Sequence, residues 1–132
     1  MIRRPVTVSA AVVVTFVIAV SAQAGGAVGI WRGQSTCVVR PSACVDEDSV
    51  YRISAGSRAS TLTLAASKIV NGQESLMGTS DCTFDAKART LECPLPNGNA
   101  LHFDLKGDVL EGTMIVKPTT LWRRLTLRRS GK

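Results

Sequence analysis

The sequence predicts an all-β protein, an eight-stranded antiparallel up-and-down β-barrel preceded by a signal peptide. Short runs of alternating polar and apolar residues, separated by Gly, Asn, Asp and Pro, recur along the chain, as is typical of half-buried strands joined by tight turns. No long stretch has apolar residues at helical spacing. An even number of consecutive antiparallel strands can close on itself and so leave no unpaired edge.

Residues 1–24 have the composition of a secretory signal peptide. They begin with Met-Ile-Arg-Arg, continue as an apolar run from Val6 to Val20 and end in Ala22-Gln23-Ala24, so that a basic head and an apolar middle precede a small-residue exit. We expect Sec-type cleavage after Ala24, which leaves one barrel domain over residues 25–132. An uncleaved membrane anchor and a twin-arginine signal are the alternatives.

Signal cleavage also changes the charge of the chain. Removing Arg3 and Arg4 lowers the formal net charge from +6 to +4, and five cations lie in the last ten residues. The remainder is therefore close to neutral and carries no basic face with interleaved aromatic residues, which argues against a nucleic-acid partner. We expect a periplasmic or secreted protein with no stable membrane insertion after cleavage.

Four cysteines follow the signal segment, at positions 37, 44, 82 and 93. An even number in an oxidising compartment predicts two disulfides, for which three connectivities exist. We favour Cys37–Cys44 and Cys82–Cys93, because the strand register described below places the second pair side by side. Since there is no Cys-x-x-Cys motif and only one His, we expect neither a zinc site nor another metal or cofactor.

The strands are assigned in chain order from the polarity pattern and from the turn residues between them. They are expected at about residues 29–40, 48–55, 60–69, 73–85, 89–94, 100–106, 109–117 and 122–129.

Two hairpins have registers that support each other. A turn centred between residues 87 and 88 sets Phe84 opposite Leu91 and Cys82 opposite Cys93, within disulfide reach. A two-residue Gly-Asp turn at 107–108 suits a hairpin, and it pairs Leu105 with Leu110, Phe103 with Gly112 and Leu101 with Met114.

Two other hairpins depend on the length of their loops. A three-residue loop at 70–72 pairs Ala66 with Leu76 and keeps Leu76 inward, whereas a two-residue Asn-Gly turn would oppose Leu76 to Ser67. We prefer the longer loop. A four-residue turn at 118–121 pairs Met114 with Leu125, Gly112 with Leu127 and Val116 with Arg123.

These registers define the side chains that face the interior, which we expect to fill most of a barrel with eight short strands. The inward set is Trp31, Val39, Tyr51, Ile53, Leu62, Leu64, Ala66, Leu76, Phe84, Leu91, Leu101, Phe103, Leu105, Leu110, Met114, Val116, Leu125 and Leu127.

The opening Gly29-Ile30-Trp31 resembles the Gly-x-Trp that begins the first strand of lipocalins, avidins and related calycin-type barrels. The resemblance implies a small lipocalin-like barrel in which a basic residue of the last strand covers the Trp at the closed end. Arg129 has the parity and the position to stack on Trp31 in this way.

Three stretches, Gly29–Gly33, Pro41–Glu47 and Lys68–Glu74, resemble a family of small exported bacterial proteins of unassigned function. Members of that family often carry His just before the Asp-Glu pair, where this chain has Val45. The departure weakens any metal role for that loop, and the family implies no activity.

No set of residues converges as an enzyme site requires. No nucleophile–base pair, glycine-rich phosphate loop or pair of inward carboxylates can be assembled from the pattern. His102 faces outward opposite Thr113, as an ordinary surface residue does, and the acidic run 46–48 matches no calcium loop. We therefore expect a protein without enzymatic activity.

Binding is expected at the end of the barrel opposite Trp31. The loops at 41–47, 70–72, 94–99 and 118–121 share that end. An inward Arg123 at its rim, with Trp122 beside it and Asn71 in a neighbouring loop, predicts a site for a small apolar or anionic molecule. The alternative for Arg123 is an arginine that extends to water over an apolar wall.

A protein-binding barrel is the alternative function, for example an inhibitor of an exported protease or other hydrolase. The segments expected to bind the partner are the loop 94–99 and the arm 25–28.

Overall fold

The computed structural model describes residues 2, 5, 7–15 and 26–131, and residues 26–131 contain a closed barrel in which each strand pairs with the next and the last with the first. The eight antiparallel strands are β1 (Gly29–Cys37), β2 (Glu47–Ala55), β3 (Thr61–Val70), β4 (Gln73–Asp85), β5 (Thr90–Pro94), β6 (Ala100–Lys106), β7 (Val109–Val116) and β8 (Thr120–Gly131). A single 3-10 turn, Pro96–Gly98, lies between β5 and β6. The predicted fold class is confirmed.

The segment before the barrel is described only in part. Residues 7–15 are exposed and form neither helix nor strand, and the expected cleavage site after Ala24 lies outside the described residues. Within the described ranges, no helix has the length and apolar character needed to cross a membrane.

Both disulfides expected from the sequence are present. Cys82 and Cys93 are bonded across β4 and β5 with their Cα atoms 4.3 Å apart, next to the predicted Phe84–Leu91 pair. Cys37 and Cys44 close the loop that follows β1, with Cα atoms 6.0 Å apart.

The first strand is shorter than expected. It ends at Cys37, because the chain must turn back within seven residues to reach Cys44, and the Cys37 amide donates a hydrogen bond to Asp46 Oδ1 (2.8 Å). Val39 therefore lies in the loop, half-buried and outside the core cluster, and its assignment as an inward strand residue was wrong.

The hairpin between β3 and β4 has the two-residue turn, so the predicted three-residue loop is corrected. Asn71 and Gly72 both have positive φ (51° and 77°), as the type I′ turn that matches strand twist requires. Leu76 then lies opposite Ser67 and is 63% exposed, instead of facing inward. A bulge at Met77 inserts one residue and returns the rest of β4 to the expected parity, with Cys82 and Phe84 inside.

The hairpin between β7 and β8 also departs from its predicted register, with a shorter turn and a bulge. Its turn holds three residues, 117–119, and a bulge adds Trp122 on β8. Without that extra residue Leu125 would face solvent, because a slip of one position exchanges the faces of a strand. Gly112 therefore pairs with Leu125, and Arg123 pairs with Met114 instead of Val116.

The buried core contains most of the predicted inward set, and five of its members lie outside the core cluster. Ala66 and Met114 face inward but are only partly buried against the cluster. Val39 lies in the loop, Leu76 is exposed, and Val116 is half-buried beside the turn. The core cluster consists of Ala27, Trp31, Tyr51, Ile53, Leu62, Leu64, Cys82, Phe84, Leu91, Cys93, Leu101, Phe103, Leu105, Leu110, Leu125 and Leu127.

The closed end is sealed by the chain just before β1. Ala27 is fully buried there, and its carbonyl accepts a hydrogen bond from Trp31 Nε1 (2.9 Å). The Arg129 guanidinium lies over the Trp31 ring, 4.3 Å from its centroid, and donates to the carbonyls of Val28 (2.9 Å) and Gly26. Arg129 Nε also donates to Asp108 Oδ1 (2.9 Å). Because the Arg129 cation stacks on the Trp31 indole and donates hydrogen bonds to the chain before β1, it holds residues 26–28 across the closed end of the barrel.

Gly112 offers a test of the β6–β7 register. A Cβ atom at this position would lie 2.5 Å from Cδ1 and Cε1 of the Phe103 ring, which is fully buried in the core cluster. We expect Gly112→Ala to lower the free energy of unfolding, measured by urea denaturation, by about 1–3 kcal/mol. Gly78→Ala is the control, since nothing lies within 4 Å of its Cβ position. Equal stability of the two variants would contradict the close packing of the Phe103 ring on Gly112.

Candidate ligand-binding cavity at the barrel mouth

A cavity of about 480 Å³ opens at the end of the barrel opposite Trp31. The sequence predicted a filled interior, and the difference comes from small residues at inward positions near the mouth: Ser35, Ala66, Gly78 and Ser80. The bulky inward residues Trp31 and Phe103 are fully buried and outside the cavity wall. The barrel is therefore packed at one end and hollow at the other.

Most of the cavity wall is apolar. Leu64 and Leu101 lie on its walls together with Met114 of β7, and Leu95 and Pro96 border it from the loop between β5 and β6. Its volume and its mixture of a large apolar wall with few polar groups are those of small-molecule sites, which measure about 300–1,000 Å³.

The polar part of the cavity is built from three adjacent strands. Arg123 of β8 donates from Nη1 to Ser35 Oγ (3.2 Å) on β1 and from Nη2 to Glu47 Oε1 (3.4 Å) on β2. The side chains of Arg123 and Glu47 are only 13% and 19% exposed. Barrel closure brings them together, since β1 pairs with β2 on one side and with β8 on the other.

Glu47 was missed as a site residue in the sequence analysis. The sequence pattern predicts Glu47 in the loop before β2, whereas the strand begins at this residue and pairs it with Ser35. The available signal was parity, because Glu47 lies at even spacing from the inward residues Tyr51 and Ile53. Its carboxylate compensates the charge of Arg123, so the polar part carries no net formal charge.

Tyr51 lies on the cavity wall near this pair. Burial raises the pKa of its phenol to about 12, with a further increase from the Glu47 charge that the charge of Arg123 opposes. The phenol is therefore neutral at physiological pH and able to donate a hydrogen bond. Its ring packs edge to face on Phe103 with centroids 5.9 Å apart, which fixes its orientation.

Ser49 lies between Glu47 and Tyr51 on the inner face of β2. It is 2% exposed, and its Oγ has no hydrogen-bond partner within the part of the chain that the structure describes. A buried hydroxyl without a partner is uncommon in folded proteins.

The structure brings together two of the three predicted binding residues. Arg123 and Trp122 both line the cavity, with Trp122 at the bulge of β8. Asn71 is exposed in the turn between β3 and β4 and is not part of the cavity wall. A side chain in a loop at the mouth end of the barrel does not necessarily line the cavity.

His102 faces outward from β6, as expected, but it has partners. Its Nδ1 contacts Glu92 Oε1, and its Nε2 lies 3.4 Å from Asp104 Oδ1. Burial disfavours the charged ring, yet the hydrogen bond with Glu92 and the two carboxylate charges prevail and raise the pKa of His102. Among the described residues, no three His, Cys, Asp or Glu side chains form a group that could hold a metal ion.

No protein-family model matches this chain, and no curated protein does either. The fold and the geometry of the cavity are thus the basis on which a function can be proposed.

Proposed function

We propose that this protein is an exported, non-enzymatic barrel that binds a small, mainly apolar molecule in the cavity at its mouth. The observation that carries the proposal is the cavity itself, about 480 Å³ with an apolar wall and a mostly buried Arg123–Glu47 pair at one side. An apolar wall supplies affinity through burial, and a few fixed polar groups orient the ligand.

We also propose that the chain belongs with the small calycin-type barrels and with the exported family that its sequence resembles. The Gly-x-Trp opening and the stacking of Arg129 on Trp31 support this assignment. Two disulfides fit an oxidising compartment. The periplasm or the medium is thus the proposed location, with signal cleavage after Ala24.

Binding of a protein partner is the second candidate, and one observation favours it. The exposed large apolar side chains within residues 26–131 all lie at the mouth end of the barrel: Val38, Val45, Val70, Leu76 and Met77. Such a concentration is typical of an interaction surface. Of the predicted arm 25–28, residues 26–28 lie at the closed end, where Ala27 is buried and Arg129 donates to the Val28 carbonyl, so they are not part of this apolar surface.

The proposed ligand site can be tested with N-phenyl-1-naphthylamine, an uncharged probe that fluoresces in apolar surroundings. We expect saturable binding of one probe per chain. Ala66→Phe fills the cavity from its wall and should weaken binding at least about tenfold. Ala65→Phe is the matched control, since its side chain points away from the cavity on the same strand, and it should bind as the parent does.

Equal affinities of the two variants, or no saturable fluorescence from the parent protein, would contradict a ligand site in this cavity. Native mass spectrometry of protein purified from its own compartment provides a second measurement, because a bound molecule adds its mass to that of the chain. A protein partner recovered by crosslinking and lost in Leu76→Ser would favour the second candidate instead.

A further inference from the structure

We propose that the cavity selects an uncharged amphiphile whose head group both donates and accepts hydrogen bonds, such as an amide or an alcohol. The inference rests on the proposed ligand-binding function and specifies its ligand. In it, Glu47 accepts a hydrogen bond from the head group, Arg123 donates one to it, and the tail lies along the apolar wall.

The charges that line the cavity are the first argument. Among the described residues of its wall, the charged side chains are Glu47 and Arg123, which have opposite signs and both lie mostly buried. An anionic head group that approaches Arg123 also approaches the carboxylate of Glu47, and a cationic one meets the same conflict with Arg123. Like charges brought together out of water are strongly unfavourable.

The spacing of the pair is the second argument. Arg123 Nη2 and Glu47 Oε1 are 3.4 Å apart, whereas a tight charge-assisted hydrogen bond measures about 2.7–2.9 Å. The hydrogen bonds of the pair also use one N–H on each Nη of Arg123 and only Oε1 of Glu47, which leaves further donors and acceptors for a ligand. An amide can use them on both sides, with its N–H donating to the carboxylate and its carbonyl accepting from the guanidinium.

The neighbouring hydroxyl groups are the third argument. Ser35 Oγ accepts from Arg123 Nη1 (3.2 Å), and the phenol of Tyr51 lies on the same wall. Both groups are uncharged and can donate or accept hydrogen bonds. A polar environment made of a compensated ion pair and neutral hydroxyls matches a neutral head group in charge and in hydrogen-bonding capacity.

The experiment compares three ligands with the same tail and different head groups: decanamide, decanoate and decylammonium. Each displaces N-phenyl-1-naphthylamine from the purified full chain at neutral pH, below micelle-forming concentrations. We expect decanamide to bind at least about tenfold more tightly than either ion. Its affinity should change little with salt, because no net charge is brought together.

Two variants reverse the selectivity in opposite directions. Glu47→Gln leaves Arg123 uncompensated, so decanoate should become the preferred ligand, and Arg123→Gln should favour decylammonium. Arg124→Gln is the matched control. It removes the same charge from the adjacent position of β8, which is exposed and faces outward, and it should keep the parent ranking.

The double variant Glu47→Gln/Arg123→Gln restores neutrality and should restore the preference for decanamide, even if one of the single variants does not fold. Tight binding of decanoate by the parent protein would overturn the proposed head-group selectivity while leaving ligand binding intact. Failure of the probe and of all three ligands to bind would overturn both proposals.

Discussion

Replacing Trp31 with alanine is expected to lower the free energy of unfolding by about 3–5 kcal/mol, as large-to-small changes of buried aromatic residues do. The indole is fully buried, donates to the Ala27 carbonyl (2.9 Å) and supports the Arg129 guanidinium, whose nitrogens bind the carbonyls of Gly26 and Val28. The substitution therefore removes core volume and releases the arm across the closed end. Urea denaturation monitored by circular dichroism measures the loss.

Trp122→Ala is the control for this prediction. Its side chain is only half-buried at the mouth, beside the open cavity, so less packed surface is lost. We expect a decrease of less than about 2 kcal/mol in the free energy of unfolding. Equal losses for the two tryptophans would show that the closed end contributes no more to stability than the mouth.

Removing the disulfide across β4 and β5 is expected to be nearly as costly. In the chain-entropy model, loss of the crosslink in Cys82→Ala/Cys93→Ala destabilises the protein by about 3 kcal/mol. Both cysteines are also fully packed in the core cluster, so the double variant leaves small cavities that add about 1 kcal/mol. Urea denaturation of both forms under non-reducing conditions gives the difference.

The second disulfide provides a comparison of similar loop length. Cys37→Ala/Cys44→Ala opens a loop of seven-residue separation outside the core cluster, and we expect a cost of about 2.5 kcal/mol. The core pair should therefore be the more destabilising of the two. The reverse order would mean that the core closes around the missing sulfur atoms and that the first loop contributes more than its length implies.

The closed barrel could be predicted from the sequence because two independent constraints agree at several hairpins. At β6–β7, the Gly107-Asp108 turn and the alternation of apolar residues both require Leu105 opposite Leu110. At β4–β5, the parity of Phe84 and Leu91 also brings Cys82 to Cys93, and the disulfide is present. When turn chemistry and side-chain parity agree, the register has no competing solution.

The incorrect register between β3 and β4 arose where those constraints conflict. The Asn71-Gly72 pair favours a two-residue turn, which places Leu76 outside, whereas an inward Leu76 requires a three-residue loop. The protein satisfies the turn and restores parity with a bulge at Met77, and it does the same at Trp122 on β8. A bulge shifts the alternation by one position, but residues 73–81 contain too few apolar side chains to locate that shift from the sequence.

The candidate site was predictable only where it depends on parity. The inward direction of Arg123 follows from its alternation with Leu125 and Leu127. Its partner Glu47 lies 76 residues earlier in the sequence, and the two meet because β1 lies between β2 and β8 in the closed barrel. Pairing across a closure depends on the stagger of all eight strands, which no local pattern reveals.

The small inward residues near the mouth have a consequence for how such a barrel can diversify. The volume of the cavity depends on four small residues, Ser35, Ala66, Gly78 and Ser80. None of them belongs to a turn, to a disulfide or to the closed end around Trp31. We expect larger side chains at Ala66, Gly78 or Ser80 to reduce the size of the molecules admitted, whereas exchanging Ser35 would also remove the acceptor of Arg123 Nη1. The volume available to a ligand can therefore evolve through single substitutions on the inner faces of the strands.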